Sequence, residues 1–80
     1  MYQAAYSREA RDQAGSLPPD ARGALAGALE ELRRDPWQGR PYVGHPREFR
    51  IWPFGTWGMV VYVILEQRLT VLLLEITWAG

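Results

Sequence analysis

Hydrophobic positions follow two different patterns along this chain. In the first half apolar residues recur at helical spacing, whereas residues 49–78 are almost continuously apolar. Within that last part, runs rich in β-branched and aromatic residues cover 49–52, 59–65 and 69–76, and Glu66-Gln67-Arg68 is the one charged break. Such runs, when bounded by turn residues, predict three β-strands.

Two helices are predicted ahead of these strands. Ser7 is a suitable N-cap, and Glu9 in the first turn places negative charge where the helix dipole favours it. The first helix is therefore predicted over residues 8–14, with Gly15 as the C′ residue that follows it. Leu17 is then expected to enter the core.

The second helix is predicted to begin at Pro18-Pro19-Asp20, with Asp20 as N-cap or first-turn acid. It ends at Asp35-Pro36, because the residue before a proline disfavours the α region. Gly23 and Gly27 either weaken this helix by about 1 kcal/mol each relative to Ala or permit close packing against the first helix. The apolar stripe of the helix consists of Ala21, Leu25, Ala28, Leu29 and Leu32.

The remaining segments complete a single small domain over residues 1–80. Residues 1–6 are predicted to form a short first strand, and residues 36–48, with three Pro and two Gly, an irregular connector. No repeat or long linker divides the chain. The order of elements predicts an α+β fold: a short N-terminal strand and a two-helix hairpin packed on an antiparallel sheet of three to four strands.

Strand alternation predicts a sheet that is apolar on both faces. In the run 59–65, one face has Val60, Tyr62 and Ile64, and the opposite face has Met59, Val61, Val63 and Leu65. In the run 69–76, one face has Leu72, Leu74 and Ile76, and the opposite face has Val71, Leu73 and Glu75. Two short helices can cover one face. The other is expected to be an exposed patch that marks an interaction site, unless the connector, with Trp37 and Tyr42, folds over it.

Composition excludes several classes of function. Nine basic and nine acidic residues give zero net charge, which argues against strong non-specific nucleic-acid binding but leaves room for a local arginine cluster. The absence of Cys excludes disulfides and thiolate metal sites, and one His makes a structural zinc site a poor expectation, so no metal or cofactor is predicted.

Hydropathy predicts a soluble cytoplasmic protein without membrane contact. The longest unbroken apolar run is the seven residues 59–65, against roughly 20 needed to span a bilayer. The first residues lack the charged start and apolar stretch of a signal peptide.

Candidate chemistry is confined to one His, two Arg and one Trp. His45, the only side chain that titrates near neutrality, is either an incidental loop residue or a general base or acid beside Arg47 and Arg50, whose guanidinium groups would hold phosphate. If the neighbours of Arg50 point inward, Arg50 and Trp52 point outward and could grip phosphate and stack a base. The alternative is an edge-strand cation beside a packed indole.

Several short segments, in this order, resemble the RelE/ParE-type toxin superfamily. Tyr6-Ser7-Arg8-Glu9-Ala10 resembles its opening strand followed by Ser-x-x-Ala. Leu17, followed by a leucine-striped helix that closes at Asp35-Pro36, resembles its helical hairpin.

The strands continue the resemblance over nearly the whole chain. Phe49-Arg50-Ile51 and Val60-Val61-Tyr62 resemble the family's Tyr-Arg-Ile … Arg-Val-x-Tyr sheet. The ending Leu74-Glu75-Ile76-Thr77-Trp78 resembles that of small actinobacterial proteins of this kind.

The resemblance implies the toxin of a type II toxin–antitoxin pair, whose apolar surface a cognate antitoxin buries. RelE-like members are mRNA interferases, metal-independent endoribonucleases that cut mRNA on the ribosome, whereas ParE-like members inhibit gyrase. Cleavage would require a base, an acid and cations for the phosphate. If the chain cleaves mRNA, the candidate catalytic residues are Arg50 and Arg47, which would hold the phosphate, and His45 as base or acid, with Trp52 as a substrate-binding residue.

The sequence lacks several of the basic residues that RelE-like members of the family carry. Arg50 matches a basic residue of the family, but Trp52 and Met59 stand where RelE-like members place further cations, and the Tyr that Tyr62 matches is mainly structural. The sequence ends at Gly80, before the basic residue and the C-terminal Tyr or His that complete catalysis in the family. The alternatives are therefore a toxin with a degenerate cleavage site, a non-catalytic binding module of the same fold (homodimeric or gyrase-directed), or a small domain that is stable alone.

Overall fold

Two helices pack on one face of a five-stranded sheet. The computed structural model covers all 80 residues. Its elements in chain order are β1 (Gln3–Tyr6), α1 (Arg8–Gly15), α2 (Pro19–Arg34), β2 (Arg40–Pro41), β3 (Phe49–Phe54), β4 (Gly58–Leu65) and β5 (Thr70–Trp78). The strand order is β1-β5-β4-β3-β2, with β1 parallel to β5 and the other pairs antiparallel. The α+β class is confirmed, and the sheet is larger than predicted and mixed.

The cap of α1 is the predicted one. The Ser7 hydroxyl accepts a hydrogen bond from the Ala10 amide at 3.1 Å, which satisfies one of the free donors at the helix start. At the other end Gly15 is the last helical residue rather than the C′ residue, and Ser16 closes the helix in the right-handed region at φ −92°. The prediction of Gly15 as C′ was therefore wrong, because the last turn closes without a left-handed residue.

Helix α2 ends where Pro36 was predicted to end it. Asp35 is the C-cap, and its carboxylate accepts a hydrogen bond from the Trp37 amide at 3.1 Å. This bond starts a single 3-10 turn, Pro36–Gln38, that leads into the connector. The buried face of α2 is the predicted stripe, with Ala21, Leu25, Ala28 and Leu32 buried and Leu29 half-buried. No helix in the structure has the length and apolar character needed to cross a bilayer.

Gly23 and Gly27 are exposed on α2, and a methyl group at either position would meet no atom within 4 Å. The alternative in which these glycines permit close helix packing was therefore wrong. Gly23→Ala and Gly27→Ala should each raise the free energy of unfolding by about 0.5–1 kcal/mol, because Ala restricts the unfolded chain without strain in the helix. Urea denaturation measures the free energy of unfolding of each variant. Gly39→Ala is the comparison that should be destabilised, because its methyl group would collide with the Tyr62 hydroxyl. Unchanged or lower stability at both helical sites would contradict the prediction.

The core lies between the helices and the central strands. Val60, Tyr62 and Ile64 of β4 belong to one buried cluster with the helix residues, whereas Val61 and Val63 are buried outside it. The predicted division of β4 into two faces is thus confirmed. We call the helix-covered side of the sheet the core face.

Strand β5 does not alternate throughout, because it contains a β-bulge. Its pairing with β4 passes from Val61↔Glu75 directly to Tyr62↔Leu73, so Leu74 is an extra residue. One extra residue exchanges the faces of everything beyond it. Ile76 therefore joins Leu73 in the core, while Glu75 lies opposite Val61 on the other face. The prediction that Leu72 shares a face with Ile76 and lies opposite Glu75 was wrong for this reason.

Candidate functional site

The side of the sheet opposite the helices is an apolar surface that no other layer covers. We call it the outer face. The pairings Phe49↔Val63, Ile51↔Val61 and Leu72↔Val63 place its members on one side, since directly paired residues share a face. At its centre Val61 and Val63 are only 8% and 9% exposed, and the other members are half-buried. The outer face consists of Phe49, Ile51, Met59, Val61, Val63, Leu65 and Leu72.

The connector covers only one corner of this surface. Trp37 packs against the core cluster on the helix side. Tyr42 stacks on His45 with 4.3 Å between ring centroids, and His45 contacts Phe49 at 5.4 Å. The alternative in which Trp37 and Tyr42 fold over the outer face therefore applies only at Phe49.

Arg47 and Arg50 meet at a single aromatic ring. Their Cζ atoms lie 5.0 Å and 4.9 Å from the centroid of Trp37, within the range of cation–π attraction. We call these three residues the arginine–tryptophan cluster. Arg50 is further held by the connector, since its Nε donates to the Arg47 carbonyl and its Nη1 to the Gly39 carbonyl, both at 2.9 Å.

Arg50 and Trp52 lie on the core face, since Arg50 pairs with Tyr62 and Trp52 with Val60. The expected orientation, with these two residues outward and their neighbours inward, was therefore wrong. Trp52 packs its indole against the core, and the Gly39 carbonyl gives the Arg50 guanidinium a polar partner there. Trp52 is thus placed as a packed indole.

His45 belongs to a different group of side chains. Its ring stacks on Tyr42 and contacts Phe49, and its Nδ1 lies 3.3 Å from the Val43 carbonyl oxygen. Phe49 is an outer-face residue, whereas Arg50 is on the core face. The structure therefore brings the two predicted arginines together and places the predicted His in a separate aromatic stack.

Tyr62 anchors the connector that carries this cluster. Its hydroxyl donates a 2.6 Å hydrogen bond to the Pro36 carbonyl, and the side chain is fully buried beside Gly39. Burial raises the pKa of Tyr62 to about 12, although the nearby Arg50 guanidinium acts in the opposite direction. The sequence identified Tyr62 as a strand residue that matches a mainly structural Tyr of the family, but it did not reveal this link; Trp37, too, carried no signal beyond being aromatic.

Removing the Tyr62 hydroxyl should destabilise the fold and change its response to alkali. Tyr62→Phe leaves the Pro36 carbonyl without its buried partner, which should lower the free energy of unfolding by about 1–2 kcal/mol at pH 7. Since folding raises the Tyr62 pKa, its contribution is complete below pH 10 and is lost as the pH rises towards 12. Tyr62→Phe should therefore lose less stability than the unchanged chain above pH 10. Chemical denaturation of both proteins at pH 7 and above pH 10 measures both effects. An equal loss of unfolding free energy between these pH values in the two proteins would contradict the prediction.

The fold is found in several solved structures. No protein-family model and no curated protein sequence matches the chain. The intact RelBE toxin–antitoxin complex of E. coli matches with a TM-score of 0.86 at 17% identity, over 100% of this chain and 99% of that chain. The RelBE2 toxin–antitoxin complex of Mycobacterium tuberculosis matches with a TM-score of 0.84 at 22% identity, over 98% of both chains.

An archaeal structure agrees with these two. The RelE–RelB complex of Pyrococcus horikoshii matches with a TM-score of 0.70 at 13% identity, over 99% of this chain and 96% of that chain. An isolated RelE toxin of E. coli matches with a TM-score of 0.87 at 17% identity, over 100% of this chain and 86% of that chain. The chain therefore has the fold of the RelE toxins.

Proposed function

We propose that this chain is the toxin of a type II toxin–antitoxin pair in the cytoplasm, and that a cognate antitoxin neutralises it. The observation that carries the proposal is a RelE fold in which no helix covers the apolar outer face of the sheet and the connector covers only its corner at Phe49. Burial of apolar surface contributes roughly 25 cal/mol per Å², so a partner gains most by covering this face. The structures similar to this chain include toxin–antitoxin complexes, which supports a partner of this kind.

Inducible expression tests the proposal. Expression of the chain alone should arrest growth, and co-expression of a small protein encoded next to it should relieve the arrest. The matched control is an unfolded variant of the same chain, which should leave growth unchanged. Undisturbed growth at good soluble expression of the unchanged chain would overturn the proposal.

The proposal extends to cleavage of mRNA on the ribosome. The two guanidinium groups of the arginine–tryptophan cluster would hold the phosphate, and His45 would act as general base or general acid. Trp52 would contact a nucleobase of the mRNA. The support is the meeting of Arg47 and Arg50 at one ring. Such cleavage requires neither metal nor cofactor.

A second candidate is a non-catalytic protein-binding module of the same fold, directed at gyrase or at a second copy of the chain. The observation that favours it is the state of Arg50, whose Nε and Nη1 already donate to backbone carbonyls. A guanidinium held in this way has fewer donors left for a phosphate. The position of His45 in a separate aromatic stack points in the same direction.

Arg47→Ala separates the two candidates. The Arg47 side chain makes no hydrogen bond within the chain, so its removal should leave the fold intact. If the chain cleaves mRNA, ribosome-dependent cleavage should fall about 10²–10³-fold, the typical effect of losing one charge-stabilising donor, and growth should return. Arg50→Ala and His45→Ala complete the series. Arrest that survives all three substitutions would assign the chain to the non-catalytic module.

A further inference from the structure

The outer edge of β1 carries backbone groups without hydrogen-bond partners. The amides of Gln3 and Ser7 donate to carbonyl oxygens on the β5 side at 2.8 Å and 2.9 Å, so the backbone groups of residues 3, 5 and 7 point towards β5. Alternate residues of a strand bond to opposite sides. The N–H and C=O groups of Ala4 and Tyr6 therefore point away from the sheet, and none of them has a partner within the chain.

This free stretch is limited at both ends. Before it, the Tyr2 amide donates to the Arg33 carbonyl and the Tyr2 carbonyl accepts from Arg33 Nε, both at 2.9 Å, so the end of α2 occupies that part of the edge. After it, Ser7 caps α1 and the chain leaves the sheet. Two outward-pointing residues remain, one on each side of Ala5.

Other stretches of the sheet edge are protected against a further strand. At the opposite edge the outward-pointing positions are Pro41 of β2 and Pro53 of β3, and a proline has no N–H to donate. On β5, beyond the end of β1, the Gln13 side chain accepts a hydrogen bond from the Ile76 amide at 2.6 Å. Proline, charge and covering side chains are the usual protections of an edge strand. Strand β1, with the sequence Gln-Ala-Ala-Tyr, has neither a proline nor a charge.

We infer that β1 binds β1 of a second copy of the chain in antiparallel orientation, with the twofold axis at Ala5. In this register Ala4 of each copy lies opposite Tyr6 of the other, and each such pair exchanges two hydrogen bonds. The two pairs together satisfy every outward-pointing group of Ala4 and Tyr6 in both copies. The five-stranded sheet of each copy thereby continues into that of the other.

The side chains of β1 fit this register. The two copies of Ala5 would lie opposite each other with about 4.5 Å between their Cα atoms, the closest approach in an antiparallel pair, and a methyl group leaves room for it. Each Tyr6 ring would lie beside the small Ala4 side chain. A twofold axis brings the same patch of both copies together, so it requires a patch of equal extent on both sides of its centre, as the free stretch is around Ala5.

The inference goes beyond the proposed function and concerns a different surface. An antitoxin would cover the outer face, whereas β1 pairing extends the sheet at its edge, so both contacts are compatible. For the non-catalytic candidate, it identifies the surface through which a second copy would bind. Because only two residues of each copy form hydrogen bonds across the axis, the dimer should be reversible.

Cysteine cross-linking tests the register, since the chain has no Cys of its own. Under mild oxidation Ala5→Cys should form a disulfide-linked dimer, because the facing Cα atoms lie within the range of about 4.4–6.8 Å that a disulfide spans. The matched control is Gln3→Cys, which is also on β1 and is exposed. Its two Cα atoms would lie roughly 14 Å apart in the dimer, so it should cross-link far more slowly.

Ala4→Pro tests the hydrogen bonds separately. Proline is tolerated on an edge strand where the N–H points outward, so circular dichroism should show an intact fold, while the dimer loses the two bonds that the Ala4 amides donate. Sedimentation equilibrium at up to about 1 mM detects even a weak dimer. It should show reversible dimerisation of the unchanged chain and association at least about tenfold weaker for Ala4→Pro. If Ala4→Pro does not fold, the cross-linking rates decide.

Three outcomes would overturn the inference: a monomer at the highest concentration, equal cross-linking of Ala5→Cys and Gln3→Cys, or a dimer that a folded Ala4→Pro variant leaves unchanged. A monomer whose neutralisation by the co-expressed partner is lost in Ala4→Pro would also overturn it, and would assign the edge to a strand of that partner. Growth arrest and its relief are measured independently, so failure of the dimer leaves the proposed function standing, and undisturbed growth leaves the dimer standing.

Discussion

If the chain is a toxin as proposed, the Val61→Asp variant should arrest growth as the unchanged chain does, but should no longer be neutralised by its partner. Val61 lies at the centre of the outer face, outside the core cluster. Val61 is 8% exposed and faces away from the helices, so in the free chain the new carboxylate can turn towards solvent at some cost in stability, whereas in the complex it would be buried without a partner. Burial of an unpaired charge costs several kcal/mol, so the affinity for the antitoxin should fall at least about a hundredfold.

The adjacent residue provides the control. Val60 is fully buried in the core, so Val60→Asp should unfold the chain and abolish growth arrest. Circular dichroism of the two variants verifies this difference in folding. Ile51→Asp, on the same outer face but half-buried, provides a second and milder variant. Complete relief of the Val61→Asp and Ile51→Asp chains by the partner would show that the partner binds elsewhere.

Truncation of Ile76 should destabilise the fold severely. Ile76 is 4% exposed and Leu73 is fully buried, and the bulge places both in the core. Ile76→Ala or Leu73→Ala should each lower the free energy of unfolding by about 2–5 kcal/mol. A domain of this size has roughly 4–12 kcal/mol in total, so either variant should be near the limit of folding.

Leu72→Ala is the matched control for these truncations. Leu72 is half-buried on the outer face, so its truncation should cost about 1 kcal/mol or less. Urea denaturation of the three variants compares them directly. Strict alternation would instead place Leu72 and Ile76 on one face, so similar losses for Leu72→Ala and Ile76→Ala would contradict the bulge.

The features that sequence predicted well depend on local chemistry. Ser7 caps α1 because its hydroxyl reaches an amide three residues on, and α2 ends at Asp35 because a proline follows. The leucine and alanine stripe of α2 and the two faces of β4 follow from periodicity alone. None of these features depends on a residue far away in the chain.

The features that sequence missed depend on distant partners. The bulge at Leu74 is defined only by the register of β5 against β4, and no residue type in β5 marks it. Arg50 was expected to point outward on the condition that Phe49 and Ile51 point inward. It lies on the core face because the connector, 11 residues earlier, supplies the Gly39 carbonyl there. Trp37 lies in a segment without periodicity, so neither its face nor its two arginine neighbours could be predicted.

Sequence predicted only part of the candidate site, again because the rest depends on contacts with other segments of the chain. Arg47 and Arg50 are close in sequence, and the structure brings them together. His45 is equally close in sequence, but its ring stacks with Tyr42 and Phe49. Short separation therefore predicted the proximity of the arginines, whereas the direction of each side chain depended on the path of the connector.

Oxidation of the two methionines tests most directly whether a partner covers the outer face. Met59 belongs to the outer face, and Met1, which is 75% exposed, reports on general access of the oxidant. The chain would be treated with hydrogen peroxide alone and as a purified complex with the protein encoded beside it, and the sulfoxide at each position followed by mass spectrometry. We predict that the complex slows oxidation of Met59 several-fold while Met1 reacts at an unchanged rate, since exposure governs susceptibility. Equal rates at Met59 in the free chain and the complex would contradict the account.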